Sequence, residues 1–378
     1  MQPTSKNILF VTGTRADFGK IKSLIEAVEL SPAFKPFVFV TGMHLQHTYG
    51  YTLIEIERCG FSEVYTFAND TNESTMDLTL AKTISGLSEY VKKCKPDLIV
   101  IHGDRVEALA SAIVGSLNNI LVAHIEGGEI SGTIDELIRH ATSKMSHVHF
   151  VSNTEAKRRL IQMGELENAI FEIGSPDVDI MFSNTLPELE TVKSYYNIPF
   201  KHYGVVMFHP VTTEYEAMGQ YAENLIQALL QDSENYVVIF PNNDLGSTAI
   251  INTYKILDNN SRFRVFPSLR FEYFLTLLKQ ANFIIGNSSA GVREAPYYGI
   301  PVINIGTRQH NRVTHSDIIN VDYSYEAITK ALNKVSQARR NGVKANFGSG
   351  NSAQLFMDIL NSGSLWTLNH QKQFKEFT

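Results

Sequence analysis

Two cysteines in 378 residues, Cys59 and Cys94, are too few for a disulfide framework and show no CxxC spacing for a metal. A reducing, cytoplasmic setting is the expectation. Positive charge is not in surplus either: 33 Lys and Arg against 39 Asp and Glu leave a formal charge of −6, which argues against a general binder of nucleic acid or membrane surfaces. An anionic ligand therefore needs a local cluster of basic side chains. The opening MQPTSKNILFVTGTR meets threonine, glycine and arginine after a short apolar run, so neither a signal peptide nor a membrane span is expected there. The chain has no GxGxxG, HxxxH or HExxH, so neither a dinucleotide cofactor nor a metal is expected. No short repeat period and no low-complexity tract stands out.

What is present suits a globular enzyme. With 43% hydrophobic and 19% charged residues the chain can bury substantial cores, and its length exceeds what one core usually supports. The runs NILFVT (7–12), FVFVT (37–41), DLIVIH (97–102), ILVAHI (120–125) and HVHFVS (147–152) are short, branched and nearly continuous. They have the form of strands buried on both faces of a parallel sheet. Between them lie helical patterns such as KIKSLIEAVEL, with Ile21, Leu24, Ile25 and Val28 at i, i+3, i+4 and i+7. The alternation restarts with YGVVMFH (203–209), YVVIFP (236–241), FRVFP (263–267), NFIIGN (282–287) and PVINIG (301–306). Two doubly wound Rossmann-like α/β domains are expected, 1–182 and 183–362, joined near the polar SNTLPELE.

Ligands of open α/β sheets sit outside the carboxyl ends of the strands, so the segments after each apolar run are the ones to read. They are GTRADFGK (13–20), HGDRVEA (102–108), HIEGGEISGTIDELIRHATSK (124–144), HPVTTE (209–214) and GNSSAGVREAPYYG (286–299). GNSSAGVRE follows a strand and precedes a helical pattern, a geometry that aims the amides of Ser288, Ser289, Ala290 and Gly291 at an anion; a plain glycine turn with a serine cap is the alternative. Arg15 offers a fork that matches phosphate oxygens, or is a loop arginine. Arg105 and Arg308 are further sources of local positive charge, Lys20 reads as part of a solvated face, and Arg139 can pair with Asp135 or Glu136 on its own helix. His209, at a strand end, is either a donor to a leaving group or a structural histidine. His102 and His124 read as residues that orient neighbouring acids.

VTGTRADFGK, HGDR, HIEGGEISGTIDELIRHA, GSPDVD, the histidine of MFHPVTTE and IGNSSAGVREAPYYGIPVINIGTRQ, in this order over most of the chain, resemble the UDP-N-acetylglucosamine 2-epimerase family. GTRAD, IEGGEISGT and the lack of a proline before Asp135 resemble its hydrolysing branch, the sialic-acid-pathway enzymes that release N-acetylmannosamine and UDP. The resemblance implies a GT-B-like fold with two domains facing a central cleft, and a C-terminal helix, 363–378, that returns to the first domain. It marks Asp104, Glu126 and Asp135 as the functional acids, ahead of Glu129 and Glu136. His209 would assist departure of the diphosphate, and Glu294 would accept hydrogen bonds from ribose hydroxyls. Arg15, Arg105, Ser288, Ser289, Ala290, Gly291 and Arg308 would hold UDP. Expected partners are UDP-GlcNAc and UDP, in a homodimer or homotetramer. Relatives acting on UDP-N,N′-diacetylbacillosamine share most of these motifs. A GT-B glycosyltransferase and a nucleotide-sugar-binding regulator are the readings of other classes; the complete acid set weighs against the regulator, and the lack of an acceptor-site signal against the transferase.

Overall fold

The computed structural model describes residues 5–71, 75–131, 133–309, 318–335 and 347–376. The chain divides into two compact units: Met1–Glu129, Asp135–Asn184 and Asn346–Thr378 form the first, and Ile130–Ile134 with Thr185–Ala345 the second.

The first unit holds a seven-stranded sheet of β1 (Lys6–Thr12), β2 (Phe34–Val40), β3 (Val64–Thr66), β4 (Leu98–His102), β5 (Leu121–Ile125), β6 (Val148–Val151) and β7 (Ile170–Glu172). Its order is β3-β2-β1-β4-β5-β6-β7, parallel throughout. The second unit holds β8 (Gly204–Met207), β9 (Tyr236–Ile239), β10 (Phe263–Phe266), β11 (Phe283–Gly286), β12 (Val302–Ile305) and β13 (Ile318–Val321) in the order β10-β9-β8-β11-β12-β13, again all parallel. Helices cover both faces, so the middles of the central strands are continuous apolar runs; Ile8, Leu9 and Phe10 of β1 are all buried completely. Both sheets are α/β and doubly wound, as the alternation predicts. The strands β3, β7 and β13 were not anticipated. They are three or four residues long and lie at sheet edges, where one side escapes burial and the apolar signature fades.

Strand order reverses between β1 and β4 in one sheet and between β8 and β11 in the other. At such reversals the flanking connections diverge and leave a crevice at the carboxyl ends. Gly13 to Arg15 follow β1, Gly103 to Arg105 follow β4, His209 stands two residues past β8, and Asn287 and Ser288 follow β11. Each switch point is thus lined by residues singled out above.

The returning segment corrects two expectations. It joins the first unit from Asn346 rather than 363, and its helix is Ser352–Asn361; past it, the described residues to 376 hold a single 3-10 turn, Leu365–Thr367. The physical reason lies in the pattern. Phe356 and Leu360, one turn apart, are buried in the first unit's core, Gly363 at φ 81° halts the helix, and TLNHQKQFK has no apolar repeat to start another. Trp366, the only tryptophan, stacks on Phe34 at 6.1 Å and so reports on this unit. Phe356→Ala is expected to cost about 3–5 kcal/mol, read as an earlier urea midpoint in Trp366 fluorescence.

Candidate active site

The first switch point is built from the end of β1. Thr14 caps the helix Arg15–Glu29, accepting from the Asp17 N–H at 3.1 Å while the Asp17 carboxylate accepts from the Thr14 N–H at 3.2 Å. This reciprocal box starts the helix at Arg15. Arg15 leans on Glu55 at 3.7 Å. Arg105 holds the N-cap position of the helix Val106–Leu117, its Nε 3.8 Å from the buried Glu107 carboxylate.

Glu126 follows β5 and takes φ 62°, a left-handed conformation that costs a residue with a Cβ of order 1 kcal/mol or more. Its carboxylate is almost wholly buried and accepts a short hydrogen bond from the Ser175 hydroxyl. Two cationic or titratable groups reach the same carboxylate: Lys20 Nζ at 3.6 Å and His102 Nε2 at 3.0 Å, the latter off the line of a hydrogen bond. Lys20 also meets Asp177 at 3.0 Å. The expectation that Lys20 belongs to a solvated face is therefore corrected. It shares the inward face of its helix with Ile21 and Leu24, all buried, and its ammonium lies between two acids.

Asp104, beyond Gly103 at φ 75°, accepts from Arg139 of the helix Ile134–Met145 in a short ion pair. Arg139 is 2% exposed and also reaches the Glu129 carbonyl at 3.4 Å. It therefore reaches across to two other segments, the turn after β4 and the loop after β5. Asp135 sits in the first turn of that helix, one turn before Arg139, and is buried. Glu129 accepts from Ser152 at 2.8 Å, while Glu136 lies 3.6 Å from His140. Asp104 and Glu126 thus close adjacent strands, and Arg139 links Asp104 to the helix bearing Asp135.

His124 underlies this arrangement. Its Nε2 donates to the Gly103 carbonyl at 2.7 Å and its Nδ1 accepts from Ser143 at 2.9 Å. Burial drives its pKa down to about 3, so the ring is neutral and holds the turn that carries Asp104.

The second switch point centres on Asn287. Its side chain bonds the His209 N–H at 2.6 Å and the His209 carbonyl at 2.8 Å, while its own carbonyl accepts from Arg308 at 3.2 Å and Gln309 at 2.8 Å. Three strand ends are thereby pinned together. The His209 Nδ1 accepts from the Asn242 N–H at 3.0 Å, which leaves the ring proton on Nε2 and makes that edge a donor. Ser288 caps a 3-10 turn, Ser289–Gly291, ahead of the four-residue helix Glu294–Tyr297. Here the anion-cradle reading needs correction. The Gly291 N–H bonds the Ser288 carbonyl at 3.1 Å and the Ala290 N–H the Ser288 hydroxyl at 3.3 Å, because a 3-10 turn consumes amides one residue sooner than an α-helix. Ser288 and Ser289 stand at the open head of the turn. Glu294 is buried.

Sequence reasoning missed Lys20, Asp177, Ser175, Asn287 and Glu107 as parts of these clusters. GSPDVD and GNSS were signals for three of them. Among the described residues no group of three or more His, Cys, Asp or Glu is placed to hold a metal ion, and no described helix is long and apolar enough to cross a membrane.

Two doubly wound parallel sheets, one bearing acids at its switch point and the other a histidine, an arginine and a serine turn, define a two-domain α/β protein of the GT-B-like class. The chain belongs to the UDP-N-acetylglucosamine 2-epimerase family, whose profile matches residues 26–361. It is 46% identical to the UDP-N-acetylglucosamine 2-epimerase of Neisseria meningitidis serogroup B, over 98% of each chain. It is 33% identical to the hydrolysing UDP-N,N′-diacetylbacillosamine 2-epimerase of Legionella pneumophila, over 94% of this chain and 95% of that one. A Methanocaldococcus jannaschii UDP-GlcNAc 2-epimerase solved with UDP-GlcNAc and UDP shares the fold at a TM-score of 0.82, with 23% identity over 94% of this chain and all of that one.

Two outcomes are expected. Gly286, at φ 136°, would place a Cβ 2.0 Å from the Met207 carbonyl oxygen, so Gly286→Ala should cost about 3 kcal/mol in urea unfolding. A histidine whose folded pKa is depressed from 6.5 to about 3 binds its proton more readily when unfolded, so its contribution is present above pH 6.5 and is lost as pH falls toward 3. Replacing His124 with Gln should therefore flatten the decline in unfolding free energy between pH 6.5 and 5 by up to about 1.4 kcal/mol per pH unit.

Proposed function

We propose that the protein is a hydrolysing UDP-N-acetylglucosamine 2-epimerase of the cytoplasm, converting UDP-GlcNAc and water to N-acetylmannosamine and UDP. The chemistry explains the acids. The C2 proton of the sugar has no adjacent carbonyl to stabilise a carbanion, so it becomes removable only as the C1–O bond to UDP breaks and positive charge develops on the ring. The bond electrons leave with UDP, a carboxylate takes the C2 proton, and the C–H electrons form the C1=C2 bond of 2-acetamidoglucal. Water then adds its oxygen to C1, and a proton returns to C2 from the other face. Two proton transfers at C2 call for more than one positioned carboxylate, and anionic carboxylates also favour the oxocarbenium-like transition state.

The observation that carries this reading is Glu126: a buried carboxylate held in a strained backbone conformation at a strand end, with Lys20, His102 and Ser175 around it. We assign proton transfer to Asp104, Glu126 and Asp135. His209 donates from Nε2 to the departing diphosphate. The Ser288 and Ser289 amides, with Arg15, Arg105 and Arg308, take the diphosphate charge, and Glu294 accepts from the ribose hydroxyls. Unsubstituted UDP-GlcNAc is favoured over UDP-N,N′-diacetylbacillosamine because the Neisseria relative, at 46%, stands well above the Legionella one at 33%. A relative at 33% identity, the Polysialic acid biosynthesis protein P7 of Escherichia coli, fits a role for the product in sialic acid synthesis.

Incubation with UDP-GlcNAc, without acceptor, metal or nicotinamide cofactor, should release free N-acetylmannosamine and UDP. UDP-N-acetylmannosamine as the only sugar product would contradict the hydrolysing assignment, and turnover of UDP-N,N′-diacetylbacillosamine alone would contradict the sugar. Asp104→Asn, Glu126→Gln and Asp135→Asn should each fold and bind UDP in calorimetry, yet lose turnover by about a hundredfold or more. Near-normal turnover in one of them removes that residue from the mechanism.

A further inference from the structure

The helix Ile134–Met145 carries Asp135 and Arg139 in its first half, and its last turn meets a segment more than two hundred residues later in the chain. Lys372 Nζ donates to the carbonyls of Ser143 at 3.0 Å and Lys144 at 2.8 Å, and to that of Ser146. These lie at the end of the helix, where carbonyls run out of partners within it and the dipole is negative; the Ser143 carbonyl also accepts from the Ser146 N–H at 3.1 Å. The same ammonium lies 2.6 Å from Glu165. Glu165 is buried and is shared with Lys144 at 2.9 Å and His149 at 3.0 Å. Burial disfavours its charge, yet His149 and Lys372 hold its pKa down to about 2; burial likewise lowers Lys372, to about 8, so the lysine is still mostly cationic at pH 7. Neighbouring residues strap the segment in place: His147 donates to the His370 carbonyl at 3.0 Å, the Lys375 N–H bonds the Gly164 carbonyl at 3.0 Å, and Lys144 lies over the Phe374 ring at 4.9 Å.

We infer that Lys372 is a positioning residue for Asp104, acting through the helix Ile134–Met145. Two routes lead from the capped end to that acid. Ser143, whose carbonyl Lys372 holds, uses its hydroxyl to orient His124, and His124 holds the Gly103 carbonyl beside Asp104. One turn earlier, Arg139 grips the Asp104 carboxylate directly. Releasing the helix end loosens both supports together. The diphosphate-binding residues assigned to the second unit take no part in either route.

As a role in turnover, the inference rests on the activity proposed above, so its test needs one arm that substrate does not enter. Lys372→Met keeps the aliphatic stem and removes the donor. At a temperature where circular dichroism shows it folded, kcat for UDP-GlcNAc should fall at least tenfold with KM within twofold, and Lys372→Arg should recover most of the loss. Amide exchange followed by mass spectrometry should quicken in peptides covering 102–106 and 134–146, with the second unit unchanged. A folded Lys372→Met with kcat within twofold of the wild type, or exchange that quickens only in 365–376, would overturn the inference. If Lys372→Met fails to fold, Lys372→Gln, which can satisfy only part of the carbonyl set, should show the same changes in smaller degree, and wild-type values in both readouts would overturn it equally. Should the wild type not turn over UDP-GlcNAc, the functional reading falls, while the exchange measurement still decides whether Lys372 positions the Asp104 turn.

Discussion

A guanidinium that is 2% exposed must find an acceptor or destabilise the fold by several kcal/mol, and in the first unit that constraint falls on Arg139. The chain meets it with Asp104 and the Glu129 carbonyl, which ties the turn after β4, the loop after β5 and the helix Ile134–Met145 into one block. Everything assigned to proton transfer hangs on that block. Asp135 rides on the same helix, and Glu126 opens the same loop. The pair costs desolvation, and in return an acid 25% exposed on its side chain is held where a reacting atom could reach it.

Around this block the sheet does the coarse placement. β4 and β5 pair residue for residue up to His102 and Ile125, so the next residues along, Gly103 to Asp104 and Glu126, emerge from neighbouring strands without any further device. Positive φ at Gly103 and Glu126 then turns each chain away from its strand direction. The second unit uses a different tactic at its own switch point. There the Asn287 side chain bonds the His209 N–H and carbonyl while its own carbonyl accepts from Arg308 and Gln309, so a single asparagine joins the ends of three strands.

The parallel strands were legible because burial on both faces leaves an unbroken apolar run, as in NILFVT and YVVIFP, and each such run is a strand. Three of the four edge strands, β3, β7 and β13, were not, since each is three or four residues long and broken by an exposed position, whereas the fourth, β10, has none and was legible in FRVFP. Acids at strand ends were legible from topology and family motif together. Lys20 was misread because a lysine on a helix is ordinarily solvated, and only the fold brings Asp177 and Glu126 to its ammonium from 157 and 106 positions away. The serine turn stood only as the alternative reading of GNSSAGVRE, and sequence does not distinguish an α from a 3-10 start; here the 3-10 turn gives the Gly291 N–H to the Ser288 carbonyl while the Ser288 cap takes the Ala290 N–H. The role of 346–376 depends on long-range pairing, through Phe356 in the core and Lys372 on the helix end, that no local pattern encodes.

The central claim is that the acids of the first unit act at C2 of the sugar while UDP departs from C1. Turnover in D2O, with the released sugar analysed by NMR, tests it most directly. The account predicts one deuterium at C2 of N-acetylmannosamine, delivered from solvent by way of an enzyme acid. Product that keeps its original C2 hydrogen without exchange would contradict it.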